Sequence, residues 1–318
     1  MTEFAGNPSP ASAGLGQEEL FPIREVSRVT GVNPVTLRAW ERRYGLIQPT
    51  RTESGHRLYS QADIETVQSV LAWIERGVSV SKVGKILARG QGVPSAQRQA
   101  RPEEVASGEW AEWQAQLARA VAGFDEMRLE QVYGQVFSTY PASVAFEQIL
   151  MPVWQGLVQR PDDFGRTSEW LFLDAFLRAR VLQRLQLARS QAPQRVLLAA
   201  IPGQCRELEL LVAGLLLSAG EVAVSVLALG QPLEELTLVC EKMQPQALVL
   251  FSNHLLGNES LRQLNRLALG LSCPLAIAGE AAELAEQELG GSPIARLGQS
   301  GRLMQRRLQQ FLGGHLDT

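Results

Sequence analysis

The sequence predicts a multidomain chain of α and α/β units, and three observations carry that expectation. At 318 residues it exceeds one typical domain. Its charge is unevenly spread: residues 21–92 hold eleven Lys/Arg against six Asp/Glu, although the whole chain is at −3. Near Gln194 the apolar periodicity also changes, from helical spacing to short apolar runs that alternate with helices. The expected division is a disordered arm over 1–20, a first unit over 21–92, a linker over 93–108, a helical bundle over 109–192 and a parallel-sheet domain over 193–318.

Composition narrows the function classes. With 45% hydrophobic and 20% charged residues the chain reads as a soluble globular protein. No apolar run approaches the roughly 20 residues that span a bilayer, and MTEFAGNPSPASAGLGQEEL lacks the basic start and apolar stretch of a signal peptide. A cytoplasmic location away from membranes is expected. Cys205, Cys240 and Cys273, with His56, His254 and His315, are scattered without metal-ligand spacing, so neither a metal nor a disulfide framework is expected. No catalytic residue stands out either, since Asp162-Asp163 beside Pro161 reads as a turn or cap.

In the first unit, IREVSRVTGV reads as an amphipathic helix closed by Gly31. NPVTLRAWERRYGLI reads as a second helix, capped by Asn33 and started by Pro34. Two short helices joined by a tight turn form a helix-turn-helix, whose second helix is expected to expose Thr36, Arg38, Arg42 and Arg43. QPTRTESGHRLYS then gives a polar, basic hairpin turned at Gly55, a wing that carries Arg51, Ser54, His56, Arg57 and Tyr59 toward a polyanion. SQADIETVQSVLAWIERG follows as a helix capped by Ser60 through Asp63.

Residues 21–89 resemble the DNA-binding domain of the MerR family. Arg38, Trp40, Glu41, Arg42, Tyr44 and Gly45 form its W-E-R-R-Y-G helix end, and Arg57-Leu58-Tyr59 its wing end. The resemblance implies a transcription regulator that binds palindromic double-stranded DNA as a homodimer or higher oligomer. Its DNA-contacting residues would be Thr36, Arg38, Arg42, Arg43, Tyr44, Arg51, Ser54, His56, Arg57 and Tyr59.

After a Gly-, Pro- and Gln-rich break, four segments with helical periodicity suggest a four-helix bundle, with a bend or boundary at Pro152. From Gln194, five short apolar strands (RVLLAAI, VAVSVLAL, ALVLFS, PLAIAGE, PIARLG) alternate with helices, which predicts a flavodoxin-like parallel sheet.

This order of units is similar to that of the cobalamin-dependent, light-responsive MerR-type repressors of the CarH/LitR type. In that family the loop after the first strand carries Asp/Glu-x-His-x-x-Gly, whose His ligates cobalt. Here Gln204 stands for the acid, Arg206 for the His and Glu209 for the Gly. A guanidinium has no lone pair to offer a metal, so the cobalamin loop is degenerate and no cofactor is expected. In the bundle, Glu169 matches the family's acid while Trp170 replaces the following His; Gln159 occupies the expected Trp position, with Trp154 nearby. Three uses of the domain stay open: dimerisation or protein docking, a pocket for another small molecule, or cobalamin ligated differently. Arg206 could pair with an anion, and Cys205 could be either a redox-sensitive thiol or a buried small side chain. The expected signal is light or stress, received through the C-terminal domains or a partner such as a photoreceptor. A corrinoid-enzyme-like subunit is the competing reading.

Overall fold

The structure, a computed structural model, describes residues 19–76, 78–88, 102–159, 163–189, 194–218, 222–285 and 289–315. Most of the expected arm (1–20) and the first part of the expected linker (93–108) lie outside them.

The first unit opens with β1 (Phe21–Pro22), α1 (Ile23–Thr30) and α2 (Pro34–Ala39), and α2 runs on as a π-turn over Trp40–Tyr44. Gly31 ends α1 at φ +72°, in the left-handed region that glycine enters freely. Asn33 Oδ1 accepts from the Thr36 N–H at 2.9 Å, and Pro34 takes the first helical position. Strands β2 (Thr50–Arg51) and β3 (Arg57–Tyr59) form the wing, and β1 pairs with the other edge of β3 to give the order β1-β3-β2. α3 (Gln61–Glu75) begins with a complete Ser60–Asp63 capping box and buries Ile64, Val67, Leu71 and Ile74 along one face. α4 (Val80–Ala88) closes the unit.

The bundle is α5 (Pro102–Ala122), α6 (Glu126–Thr139), a third helix and α9 (Arg166–Arg189). α5 starts inside the stretch read as linker, with Pro102 at its first turn, where a missing N–H costs nothing. The third helix runs through α7 (Ala142–Val144), a π-turn over Ala145–Leu150, and α8 (Met151–Val158). Pro152 therefore marks a change of winding: it has no N–H for the Gln148 carbonyl four residues back, and the Gln114 side-chain amide donates to that carbonyl at 2.7 Å instead.

The last unit alternates β4 (Gln194–Ala200), α10 (Glu207–Leu217), β5 (Val222–Val226), a 3-10 turn (Leu233–Glu235), α11 (Leu236–Met243), β6 (Ala247–Phe251), α12 (Asn258–Gly270), β7 (Leu275–Ala278), α13 (Ala281–Leu284), β8 (Ile294–Gly298) and α14 (Gly301–Leu312). All neighbouring strands are parallel, in the order β5-β4-β6-β7-β8, which is the flavodoxin-like order. Side-chain alternation feeds two cores. Val196, Leu198 and Ala200 face the bundle side, whereas Leu197, Ala199 and Ile201 pack with residues of α11 and α12. The bundle-side core continues without a break through the helices into Trp40, Leu37 and Val26 of the first unit.

Gly279 follows β7 at φ +91°, and a Cβ there would meet the Ser252 backbone oxygen at 2.4 Å. Both the strained dihedral and a contact that backbone cannot yield oppose any side chain. Gly279→Ala is expected to cost about 3 kcal/mol, read as a lowered urea midpoint with unchanged slope.

Candidate functional site

The first candidate site is the surface of α2 and the wing. Arg38, Arg42 and Arg43 are exposed along the helix, and Ser54 and His56 at the hairpin tip. The tip is held by the Gly55 N–H on Thr52 O at 2.8 Å and the His56 N–H on Thr52 Oγ1 at 3.0 Å. What fixes the wing against the helix is Glu41. Its carboxylate accepts from Arg57 Nε at 2.5 Å and from Arg51 Nη2 at 3.1 Å. Burial alone would push the Glu41 pKa up, but the Arg57 and Arg51 guanidiniums outweigh it and hold the carboxyl below its ordinary value near 4.5.

Three expected contact residues are placed differently from the sequence reading. Thr36 is fully buried because its face of α2 lies on α6, where Thr36 Oγ1 donates to Phe137 O at 3.1 Å. Tyr59 is also fully buried: its inward position in β3 seats the ring in the domain core, and burial raises its hydroxyl pKa to about 12. Tyr44 is half-buried. Arg51 and Arg57 lie on the wing strands, but both are engaged by Glu41. Sequence reasoning counted Glu41 in the helix motif without giving it a role. The available signal was a lone acid set among basic residues on helix and hairpin.

The second candidate site is the cleft at the carboxyl ends of the strands, between sheet and bundle, where open α/β sheets bind ligands. Its volume is about 370 Å³, at the small end of the roughly 300–1,000 Å³ that suits drug-sized molecules. Glu147, Glu209, Asn253 and Ser300 line it alongside Met151 and Met304. Glu209 stands at the third position of α10 and caps that helix, accepting from the Arg206 backbone N–H at 2.7 Å and from Asn253 Nδ2 at 3.0 Å. Gln204 is held on the next loop by the Asn253 N–H on its backbone oxygen at 3.1 Å. Arg206 lies over the Trp170 ring, 5.1 Å from guanidinium carbon to centroid. Beside it, Arg178 bridges Asp174 at 2.8 Å and Glu207 at 2.6 Å, and the Trp154 indole N–H donates to Asp174 at 3.0 Å. Side chains from bundle and loop thus close on one another across this interface.

Glu169 is taken by Arg166 at 2.9 Å, and Gln159 ends α8, exposed. Burial, then the charge of Glu209, pushes the Cys205 thiol up to about 12, which opposes the redox-sensitive reading and fits a packed small side chain. Among the described residues, no group of three or more His, Cys, Asp or Glu is placed to hold a metal ion, and no helix is long and apolar enough to cross a membrane.

Removing the Glu41 charge tests the wing clamp. Its folded-state pKa is depressed, so its stabilisation is present above the ordinary carboxylate value and lost as pH falls through the folded one. Glu41→Gln is expected to lower stability at pH 7 by about 1 kcal/mol, a modest figure because solvent screens the pair. Urea titrations of the variant should also lose the corresponding part of the decline below about pH 4.5. Parallel pH profiles for variant and wild type would rule the clamp out.

Residues 21–90 match the family model described as MerR HTH family regulatory protein. The HTH-type transcriptional regulator MlrA of Escherichia coli (strain K12) is 52% identical over 69 residues, which cover 22% of this chain and 28% of MlrA, so the chain matches under a third of that relative's length. The HTH-type transcriptional repressor CarH of Myxococcus xanthus is 27% identical over 239 residues, 72% of this chain and 77% of CarH. Among solved structures, the monomethylamine corrinoid protein of Methanosarcina barkeri is 12% identical with a TM-score of 0.44, covering 63% of this chain and 98% of that one. Residues 21–90 thus form a MerR-family helix-turn-helix domain, and the chain is similar to CarH over 72% of its length.

Proposed function

We propose that the protein is a sequence-specific DNA-binding transcription regulator, acting as a homodimer or higher oligomer on a palindromic site, whose C-terminal domains receive the signal without cobalamin. The observation that carries the DNA-binding part is the Glu41 clamp. It sets the wing beside an exposed row of Arg38, Arg42 and Arg43, so that helix and hairpin present one rigid basic surface. Arg38, Arg42 and Arg43 meet phosphates or base edges, and Ser54 and His56 act from the wing tip.

Cobalamin independence is supported by the strand-end cleft. The loop position that would ligate cobalt carries Arg206, whose guanidinium offers no lone pair and lies on Trp170. The position that would bring backbone against the corrin carries Glu209, bonded in place as a helix cap. The residues present do not fit the group. The signal, light or stress in this reading, then reaches the chain through another small molecule or a docking protein such as a photoreceptor. An enzymatic role is disfavoured because a winged DNA-binding unit has no part in one.

Two measurements on the full chain test this. Binding to a duplex selected by the chain from a random pool should weaken with salt, and Arg42→Ala should make the slope of log affinity against log salt shallower by about 1. An unchanged slope would remove Arg42 from the interface. Mixed with adenosylcobalamin in the dark, the protein should leave a sizing column colourless; corrin absorbance travelling with the protein peak would overturn cobalamin independence.

A further inference from the structure

Thr36, Trp40 and Tyr44 recur every four residues along the candidate recognition helix and face the end of α6. Trp40 is fully buried, and its indole N–H donates to Thr139 O at 3.0 Å, as Thr36 Oγ1 does to Phe137 O at 3.1 Å. Tyr44 is half-buried against the same core that holds Tyr140. These two carbonyls are open acceptors for a local reason. They belong to the last turn of α6, where Phe137 O would need the N–H of residue 141, and residue 141 is Pro. The bundle therefore presents two unsatisfied oxygens, and the recognition helix fills both.

A second contact holds the first unit, this time to the last unit, which is itself tied to the bundle. Arg302, in the first turn of α14, pairs with Glu75 at the end of α3. The preceding residue gives its backbone N–H to Glu147 of the bundle at 2.5 Å. Glu147 and Ser300 line the strand-end cleft, so the latch on the first unit begins where that cleft ends.

A major groove about 12 Å wide takes one helix of about 10–12 Å diameter and leaves no room for a second protein layer on its flank. Resting on the DNA-binding reading above, we propose that this arrangement is a self-masked state, in which the 137–140 segment of the bundle covers the Thr36–Trp40 flank of the recognition helix and groove reading requires the first unit to undock. The flank carrying Arg38, Arg42 and Arg43 stays open. The docked chain accordingly keeps sequence-independent attraction to phosphates while its groove reading is blocked. Anything that moves the β8–α14 turn, whether a ligand in the cleft or a protein docked over it, acts directly on the latch.

Charge reversal at Arg302 tests this in the full chain, because the residue lies outside both the DNA-binding unit and the core. Arg302→Glu is expected to bind the selected duplex about five-fold more tightly, with affinity for a scrambled duplex equal to wild type or lower. Hydrogen exchange should rise in segments 36–44 and 137–140. The double variant Glu75→Arg/Arg302→Glu restores the pair and should return both readouts toward wild type. The substitution removes positive charge, so a gain in DNA affinity cannot come from bulk electrostatics. Raised exchange with unchanged affinity overturns the masking, and unchanged exchange overturns the latch. A chain that selects no duplex from the pool overturns the DNA-binding reading itself, while exchange still reports the docked contact.

Discussion

One continuous hydrophobic core runs from Val26 in the helix-turn-helix, through the bundle, to Leu308 on the sheet side, and the other features depend on it. Because the parallel sheet must bury both faces, its bundle side needs a cover that α10 and α14 alone do not complete. The bundle supplies that cover, with α9 on α10 and β5, and by doing so it sets α8 across the cleft from the strand ends. Its far end in turn seats Trp40. A change of packing anywhere along this core has a path to the recognition helix through contiguous side chains rather than through a flexible tether.

The same constraint gives the strand-end cleft its character. A sheet domain packed against a bundle through a large ligand would leave a gap there without one. In this chain the gap is spanned by protein groups: Arg206 on Trp170, Arg178 between Asp174 and Glu207, and Trp154 on Asp174. Charge pairs of this kind are weak sources of net stability: solvent screens the exposed Arg178–Glu207 pair, and desolvation of the buried Asp174 offsets most of its attraction to Arg178. Their contribution is register, because a guanidinium fork and an indole N–H accept few alternative partners. What remains open is a small, acid-lined space next to the turn that carries Arg302.

The local elements were legible from the sequence because each depends on neighbours within a few residues. Asn33 with Pro34, Gly31, the Ser60–Asp63 box and the apolar alternation of five strands all read correctly, and the parallel order followed from strands alternating with helices. α5 begins before the expected bundle boundary because helical propensity continues into a segment whose Gly and Pro content suggested a break. The charge asymmetry and the W-E-R-R-Y-G run likewise located the basic surface without any coordinates.

Only the tertiary structure decided which of those surface residues are free. Thr36 and Arg38 are two positions apart in sequence, yet one is sealed against Phe137 and the other is open to solvent. A helix shows different residues to different neighbours, and sequence does not state which neighbours arrive. Tyr59 and Glu41 follow the same logic: strand register seats the first in the core, and two arginines from a separate hairpin converge on the second. Local chemistry determined the elements and their caps, whereas contacts between residues from ten to about a hundred positions apart determined exposure, because only the folded chain brings those residues together.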